Sequence, residues 1–140
     1  MKKYNLENVG KLANKLRNKG KKIGLCHGVF DIIHAGHISH FEEVKKKCDI
    51  LIVTITEDKH VNKGPNRPVN NHYFRAKILD SLKQVDYVAI NFSPDATDSI
   101  RLIRPNFYFK GNDYRGKKDL TERLNKEKNE LKKIKSKIIF

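Results

Sequence analysis

Two histidines, His34 and His37, stand three residues apart within Gly28-Val29-Phe30-Asp31-Ile32-Ile33-His34-Ala35-Gly36-His37. The preceding Lys22-Ile23-Gly24-Leu25-Cys26 has the apolar character of a short buried strand, and Ile38, Phe41 and Val44 follow at helical spacing. The pair therefore occupies the junction at which a strand becomes a helix. A helix N-terminus presents unpaired N–H groups and a partial positive charge, both of which attract phosphate. Imidazoles at that place can donate hydrogen bonds to oxygens whose charge grows during phosphoryl transfer. The plainer alternative, two surface or cap histidines, is disfavoured by the glycine-flanked His-Ala-Gly-His arrangement.

Other residues could serve the same chemistry. Lys63 and Arg67, in the breaker-rich run Lys63-Gly64-Pro65-Asn66-Arg67-Pro68, can clamp phosphates, or form an ordinary solvated basic loop. Asp31 can orient an acceptor or a backbone amide, or close a local Asx turn. In Lys110-Gly111-Asn112-Asp113-Tyr114 the glycine lets backbone approach a ligand, and Asp113 can accept hydrogen bonds from a ribose or base. His27, His40, His60 and His72 have no comparable setting and are assigned structural places. Cys26 and Cys48 lack CxxC or zinc-ligand spacing and are expected as buried thiols, and no protein-held metal is expected. No Walker GxxxxGK[ST], GxGxxG or glycosidase-type carboxylate pair is present, which disfavours P-loop hydrolysis and dinucleotide redox chemistry.

The elements that must position these residues follow from periodicity. Leu6, Val9, Leu12 or Ala13 and Leu16 mark an amphipathic first helix closed by Gly20. Asp49 to Thr56 is a near-continuous β-branched run, the signature of a strand covered on both faces. A helix over Tyr73–Leu82, a strand over Val85–Ile90, a helix over Ala96–Ile103 and a strand over Phe107–Lys110 continue the alternation. Leu120, Leu124, Leu131 and Ile134 outline a last helix capped by Asp119, and Lys137 to Phe140 begin another strand. The βαβαβαβ order predicts one α/β domain, a parallel sheet flanked by helices. Ligands of such sheets bind outside the carboxyl ends of the strands, where four loops bring the candidate residues together.

A chain of 140 residues suits one domain with a real core. The net charge of +14 would ordinarily suggest nucleic acid. Its distribution weakens that inference. Residues 1–22 hold 8 Lys/Arg against 1 acid and residues 115–140 hold 10 against 4, so the two ends carry 13 of the 14 charges. No stretch approaches the roughly 20 apolar residues of a membrane span, and Met1-Lys2-Lys3-Tyr4 does not begin a signal peptide. A soluble cytoplasmic protein is the expectation.

Gly28-Val29-Phe30-Asp31-x-x-His34-x-Gly36-His37 resembles the GxFDxxHxGH signature of the cytidylyltransferase-like nucleotidylyltransferases. The resemblance extends through Lys63-Gly64-Pro65-x-Arg67-Pro68-Val69-Asn70, Arg75, Val85-Asp86 and Lys110-Gly111-x-Asp113-Tyr114, similar to the adenylyltransferase domain of the heptose phosphate enzymes. Glycerol-3-phosphate cytidylyltransferase shares the first signature, the arginine and the two aspartates. It implies a Rossmann-like domain that moves a nucleoside monophosphate from ATP or CTP to a phosphorylated sugar or polyol, releasing pyrophosphate with Mg²⁺ carried on the phosphates. His34, His37 and Lys63 would be catalytic, and Gly28, Val29, Phe30, Asp31, Gly36, Lys110, Gly111 and Asp113 would bind nucleotide. Arg67, Arg75 and Asp86 would contact substrate or a second copy in a homodimer. One departure stands out: the family's Ser/Thr-rich phosphate-binding motif after the final strand has no counterpart before Phe140, so a fragment of a longer polypeptide is expected. A basic nucleic-acid-binding domain and a non-catalytic nucleotide-binding module are the alternatives.

Overall fold

The computed structural model describes the backbone of residues 4–62, 64–110 and 118–140; in the last segment it describes the side chains of residues 122 and 124–140. Five strands, β1 (Ile23–Gly28), β2 (Ile50–Thr56), β3 (Tyr87–Asn91), β4 (Phe107–Phe109) and β5 (Lys137–Ile139), form one sheet in the order β3-β2-β1-β4-β5. Every pairing is parallel. The helices are α1 (Leu6–Asn18), α2 (Ala35–Lys45), α3 (His72–Asp80), α4 (Thr97–Ile103) and α5 (Lys118–Lys133). This is the expected Rossmann-like α/β architecture. Strand order reverses between β1 and β4, which makes their shared carboxyl edge the place for a ligand.

The β-branched run of β2 is buried on both faces, and its alternation assigns each residue to a layer. Leu51, Val53 and Ile55 pack with Phe41 and Val44 of α2 and Ala76 and Leu79 of α3. Ile52, with Ile23 and Leu25 of β1, meets Leu6 and Ala13 of α1, Ile100 and Ile103 of α4, and Leu131 of α5. Most of these side chains are wholly enclosed, and each contributes about 2 kcal/mol through burial. The same alternation places His27, Thr54, Thr56 and Asn91 on the α1/α4/α5 side at the carboxyl ends of their strands. There His27 Nδ1 lies 2.9 Å from Thr54 Oγ1 and Asn91 Oδ1 accepts the Ser99 hydroxyl at 2.7 Å.

Helix ends follow side-chain chemistry. Asn5 caps α1 by accepting the Asn8 N–H, Asn71 caps α3 by accepting the Phe74 N–H, and Gly20 beyond α1 has a φ of +88°. β1 runs two residues past the expected end, so Gly28 belongs to the strand. β3 begins at Tyr87 rather than Val85 because Asp86 turns its carboxylate onto the Leu51 N–H (2.7 Å) at the start of β2. Among the described residues no helix is long and apolar enough to cross a membrane.

Candidate active site

At the carboxyl end of β1 the chain turns sharply. Phe30 adopts a left-handed conformation, φ +49°, which an L-residue takes only when its surroundings hold it there. Its ring lies over Gly28, where an added Cβ would come within 3.0 Å of it, and packs 5.5 Å from Phe41 and edge-on 5.7 Å from His37. Gly28 is thus the residue that makes room for Phe30, and Phe30 supports the His37 ring.

His34 is the N-cap of α2. Its Nδ1 accepts the Gly36 N–H at 3.0 Å, and the His37 Nδ1 accepts the His34 N–H at 3.2 Å, a reciprocal capping box built from two imidazoles. A nitrogen that accepts a hydrogen bond carries no proton, so each neutral ring holds its proton on Nε2, across the ring from the helix. The ring centroids are 4.0 Å apart. Two N–H donors and the helix N-terminus are therefore assembled in one place, with His34 exposed to solvent.

Asp31 clasps the loop after β2. Its carboxylate accepts the Val69 and Asn70 N–H groups at 2.8 and 2.9 Å and the Arg67 guanidinium at 3.1 Å, and the Asn70 side chain donates back to the Asp31 carbonyl at 3.1 Å. Burial pushes the Asp31 carboxyl up, but the hydrogen bonds from Asn70, Val69 and Arg67 outweigh it and hold the group below the usual carboxylate range. A second tie runs through Arg75, which is fully buried and donates to Asn70 O (3.0 Å), Val29 O (2.8 Å) and Asp58 Oδ1 (2.6 Å). The loops after β1 and β2 are one hydrogen-bonded unit.

With this geometry the sequence can be set beside known proteins. The cytidylyltransferase-like family model matches residues 25–138, from the middle of β1 into β5. The chain belongs to that family. It is 46% identical over 113 residues to the bifunctional protein HldE of Aliarcobacter butzleri, covering 79% of this chain and 24% of that protein. The HldE of Wolinella succinogenes is 38% identical over 123 residues, 86% of this chain and 26% of the relative. The chain thus spans about a quarter of the length of the curated relatives it matches. Among solved structures, a lipopolysaccharide core biosynthesis protein from Thermoplasma volcanium superposes with a TM-score of 0.69 at 26% identity, covering 85% of this chain and 94% of that one. The pantoate-beta-alanine ligase of Francisella tularensis shares the fold, with a TM-score of 0.64 at 23% identity over 96% of this chain and 64% of its own.

The residues of the β1–α2 signature come together as their spacing predicts, and the other expected residues take several different settings. Lys63, Gly111 and Asp113 lie outside the described residues. Arg75 is too enclosed to touch a substrate or a second copy; its donors serve Val29, Asn70 and Asp58. Asp86 sits at the amino-terminal edge of the sheet, held by Leu51 N and paired with Lys45, at the opposite end of the strands from the His34/His37 junction. The Lys110 side chain is 4% exposed and turned onto Glu127 (3.1 Å) and the Tyr108 hydroxyl (3.1 Å), so its ammonium braces α5 against β4 rather than facing a nucleotide. Arg67 engages Asp31 through one guanidinium nitrogen and keeps 42% of its side chain exposed. Two of the partners that hold these residues, Asp58 and Glu127, belong to none of the sequence motifs. For Asp58 a signal existed: a carboxylate just past a buried strand is a natural partner for an arginine on the next helix.

Proposed function

We propose that this chain transfers a nucleoside monophosphate from ATP or CTP to a phosphorylated sugar or polyol, releasing pyrophosphate. The reading rests on the placement of both histidine rings at the N-terminus of α2, each with its Nδ1 accepting a backbone N–H and its proton on Nε2. An oxygen of the acceptor phosphate attacks the α-phosphorus in line, and the bond to the α,β-bridging oxygen breaks as pyrophosphate leaves. His34 and His37 would donate to the phosphate oxygens as negative charge grows on them. The helix N–H groups add to that field. Mg²⁺ would arrive as part of the nucleotide, taking its oxygens from phosphates and water, so it does not require the three-ligand protein cluster that is absent among the described residues.

Membership of the cytidylyltransferase-like family and the resemblance of the Lys63–Asn70 and Lys110–Tyr114 motifs to the heptose phosphate enzymes support an enzyme over a general polyanion-binding domain. The test is a pyrophosphate-release assay crossing four nucleoside triphosphates with a panel of aldose and polyol phosphates. Release that requires one nucleotide and one acceptor class is expected. Nucleotide binding without release across the panel would favour a non-catalytic module, and salt-sensitive nucleic-acid binding that survives substitution of both histidines would favour the basic domain.

A further inference from the structure

We infer that the acceptor's sugar ring rests on an aromatic ledge at the carboxyl ends of β2 and β3, made by Phe92 and Tyr73 with Glu57 and His60 beside them. The inference depends on the nucleotidyl-transfer reading above. In-line displacement requires the acceptor to approach the α-phosphorus from the side opposite the departing pyrophosphate. The nucleotide occupies the β1/β4 switch point, and β2 and β3 lie on the other side of β1 from β4. Phe92 follows β3, two strand spacings, or about 10 Å, from β1.

Phe92 is 53% exposed and Tyr73 50% exposed, a large apolar area to leave facing water beside a polar site. They are not loose. The His72 ring stands edge-on to both, 4.6 Å from Tyr73 and 5.9 Å from Phe92, and its Nδ1 is 3.2 Å from the Asp58 N–H. Asp58 in turn binds Arg75, and Arg75 binds Val29 O, two residues before Asp31. The ledge and the histidine junction are therefore fixed relative to each other through the His72, Asp58 and Arg75 side chains and the backbone.

Hydroxyl partners stand alongside. The Glu57 N–H donates to Asn91 O at 3.1 Å, which pins this residue next to Phe92. Its Oε2 is buried with no hydrogen-bond partner among the described residues, and His60 Nε2 is 3.8 Å away, beyond hydrogen-bonding distance. The His60 and Glu57 side chains stay 23% and 17% exposed, so their accessible polar atoms can meet adjacent sugar hydroxyls, and an aromatic face suits the C–H face of a pyranose ring. Few ligands present both; an acyclic polyol phosphate lacks the flat face. The ledge thus selects cyclic sugar phosphates.

The test uses the full chain with F92A and E57Q, glucose 1-phosphate and mannose 1-phosphate as cyclic acceptors, a heptose 1-phosphate where obtainable, and glycerol 3-phosphate as the acyclic one. F92A should raise KM for the cyclic acceptor about tenfold, the loss of one aromatic contact, with nucleotide KM and Tm unchanged; E57Q should raise the same KM. Saturation transfer from protein to sugar-ring protons, read without turnover, should vanish in F92A. Unchanged acceptor KM and unchanged saturation transfer would overturn the ledge while leaving nucleotidyl transfer intact. A change in sedimentation alone would make the ledge a protein contact and also overturn it. Absence of pyrophosphate release with every acceptor, with Phe92-dependent sugar saturation retained, would sink the reaction and leave the ledge standing.

Discussion

The His37 Nδ1 accepts the backbone N–H of His34 at 3.2 Å, so the second histidine of the pair fixes the turn that presents the first. His34 returns the favour to the helix by capping Gly36 N–H. The two rings to which the proposed reaction gives a chemical duty thus carry a structural one as well. Simple truncation would confound them, since loss of a cap costs about 1 kcal/mol whatever the chemistry.

Asparagine separates the two duties at position 34. Its side-chain oxygen is among the best N-caps, but it offers no donor where the imidazole Nε2–H stands. H34N should retain the thermal stability that H34A loses, while both lower kcat by roughly 10² to 10³, the size of a lost transition-state donor. Paired melting curves and pyrophosphate-release rates check this. A stable H34N with undiminished kcat would remove His34 from the reaction.

Gly36 offers the converse test. An added Cβ would lie 2.8 Å from His34 Cε1 and 3.0 Å from its Nδ1, so the ring must swing away from the helix. Alanine is the better helix former by up to about 1 kcal/mol, which offsets the loss of about 1 kcal/mol with the His34 cap, so G36A should be about as stable as the parent. Activity should fall sharply, since a displacement of about 1 Å can cost about 10² in rate. Denaturant midpoints alongside kcat distinguish a misplaced ring from a weakened fold.

How far the sequence discloses this site depends on the kind of interaction. The β1–α2 junction is legible because strand and helix periods meet there and the histidines fall at the cap. The sheet is equally plain from the β-branched run of β2. Lys110 and Arg75 are not, because a charged residue in a motif looks the same whether it faces ligand or a buried partner. Their partners, Glu127 and Asp58, are 17 residues away in each case. Such pairs form only when helices pack, and no local pattern encodes them. Asp31 lies between: its carboxylate engages a backbone 38 and 39 residues on, where an Asx turn would have been local.

The Asp31 clasp predicts a pH dependence with a definite sign. Its folded-state value lies below the unfolded one, so the ionised form is favoured by folding. That contribution is fully present above about pH 4, the ordinary Asp value, and is lost as pH falls through the lowered folded value. D31N should therefore be less stable than the parent at pH 7, with the gap closing in acid. Because the clasp holds Arg67 and residues 69–70, D31N should also speed amide hydrogen exchange at Val69 and Asn70. Equal exchange in both proteins would show that other contacts hold the loop.

The buried pair Lys110 and Glu127 yields the last prediction, and it tests the reassignment of Lys110. Both side chains are nearly sealed from solvent, at 4% and 3% exposure. Burial raises the Glu127 carboxyl above its ordinary range even though the Lys110 charge and hydrogen bond and the Tyr108 hydroxyl lower it, while Asp95 adds to the rise. Removing either partner alone strands a charge and should cost about 3 to 5 kcal/mol, whereas replacing both with apolar residues of similar volume should be close to neutral. In K110M the carboxyl loses its counter-charge, so its folded value climbs further. A group raised in the folded state favours folding while protonated, and that advantage is lost as pH rises through the raised value. K110M should therefore unfold more readily with each step upward in pH from about 4, and recover in acid. Urea titrations of K110M, E127L and the double variant at several pH values measure the coupling directly. The kinetics then settle the role: a brace predicts that the double variant, once shown to be folded, turns over nucleotide at nearly the parental rate. A folded double variant whose nucleotide KM has risen tenfold or more would place the Lys110 ammonium on the nucleotide after all.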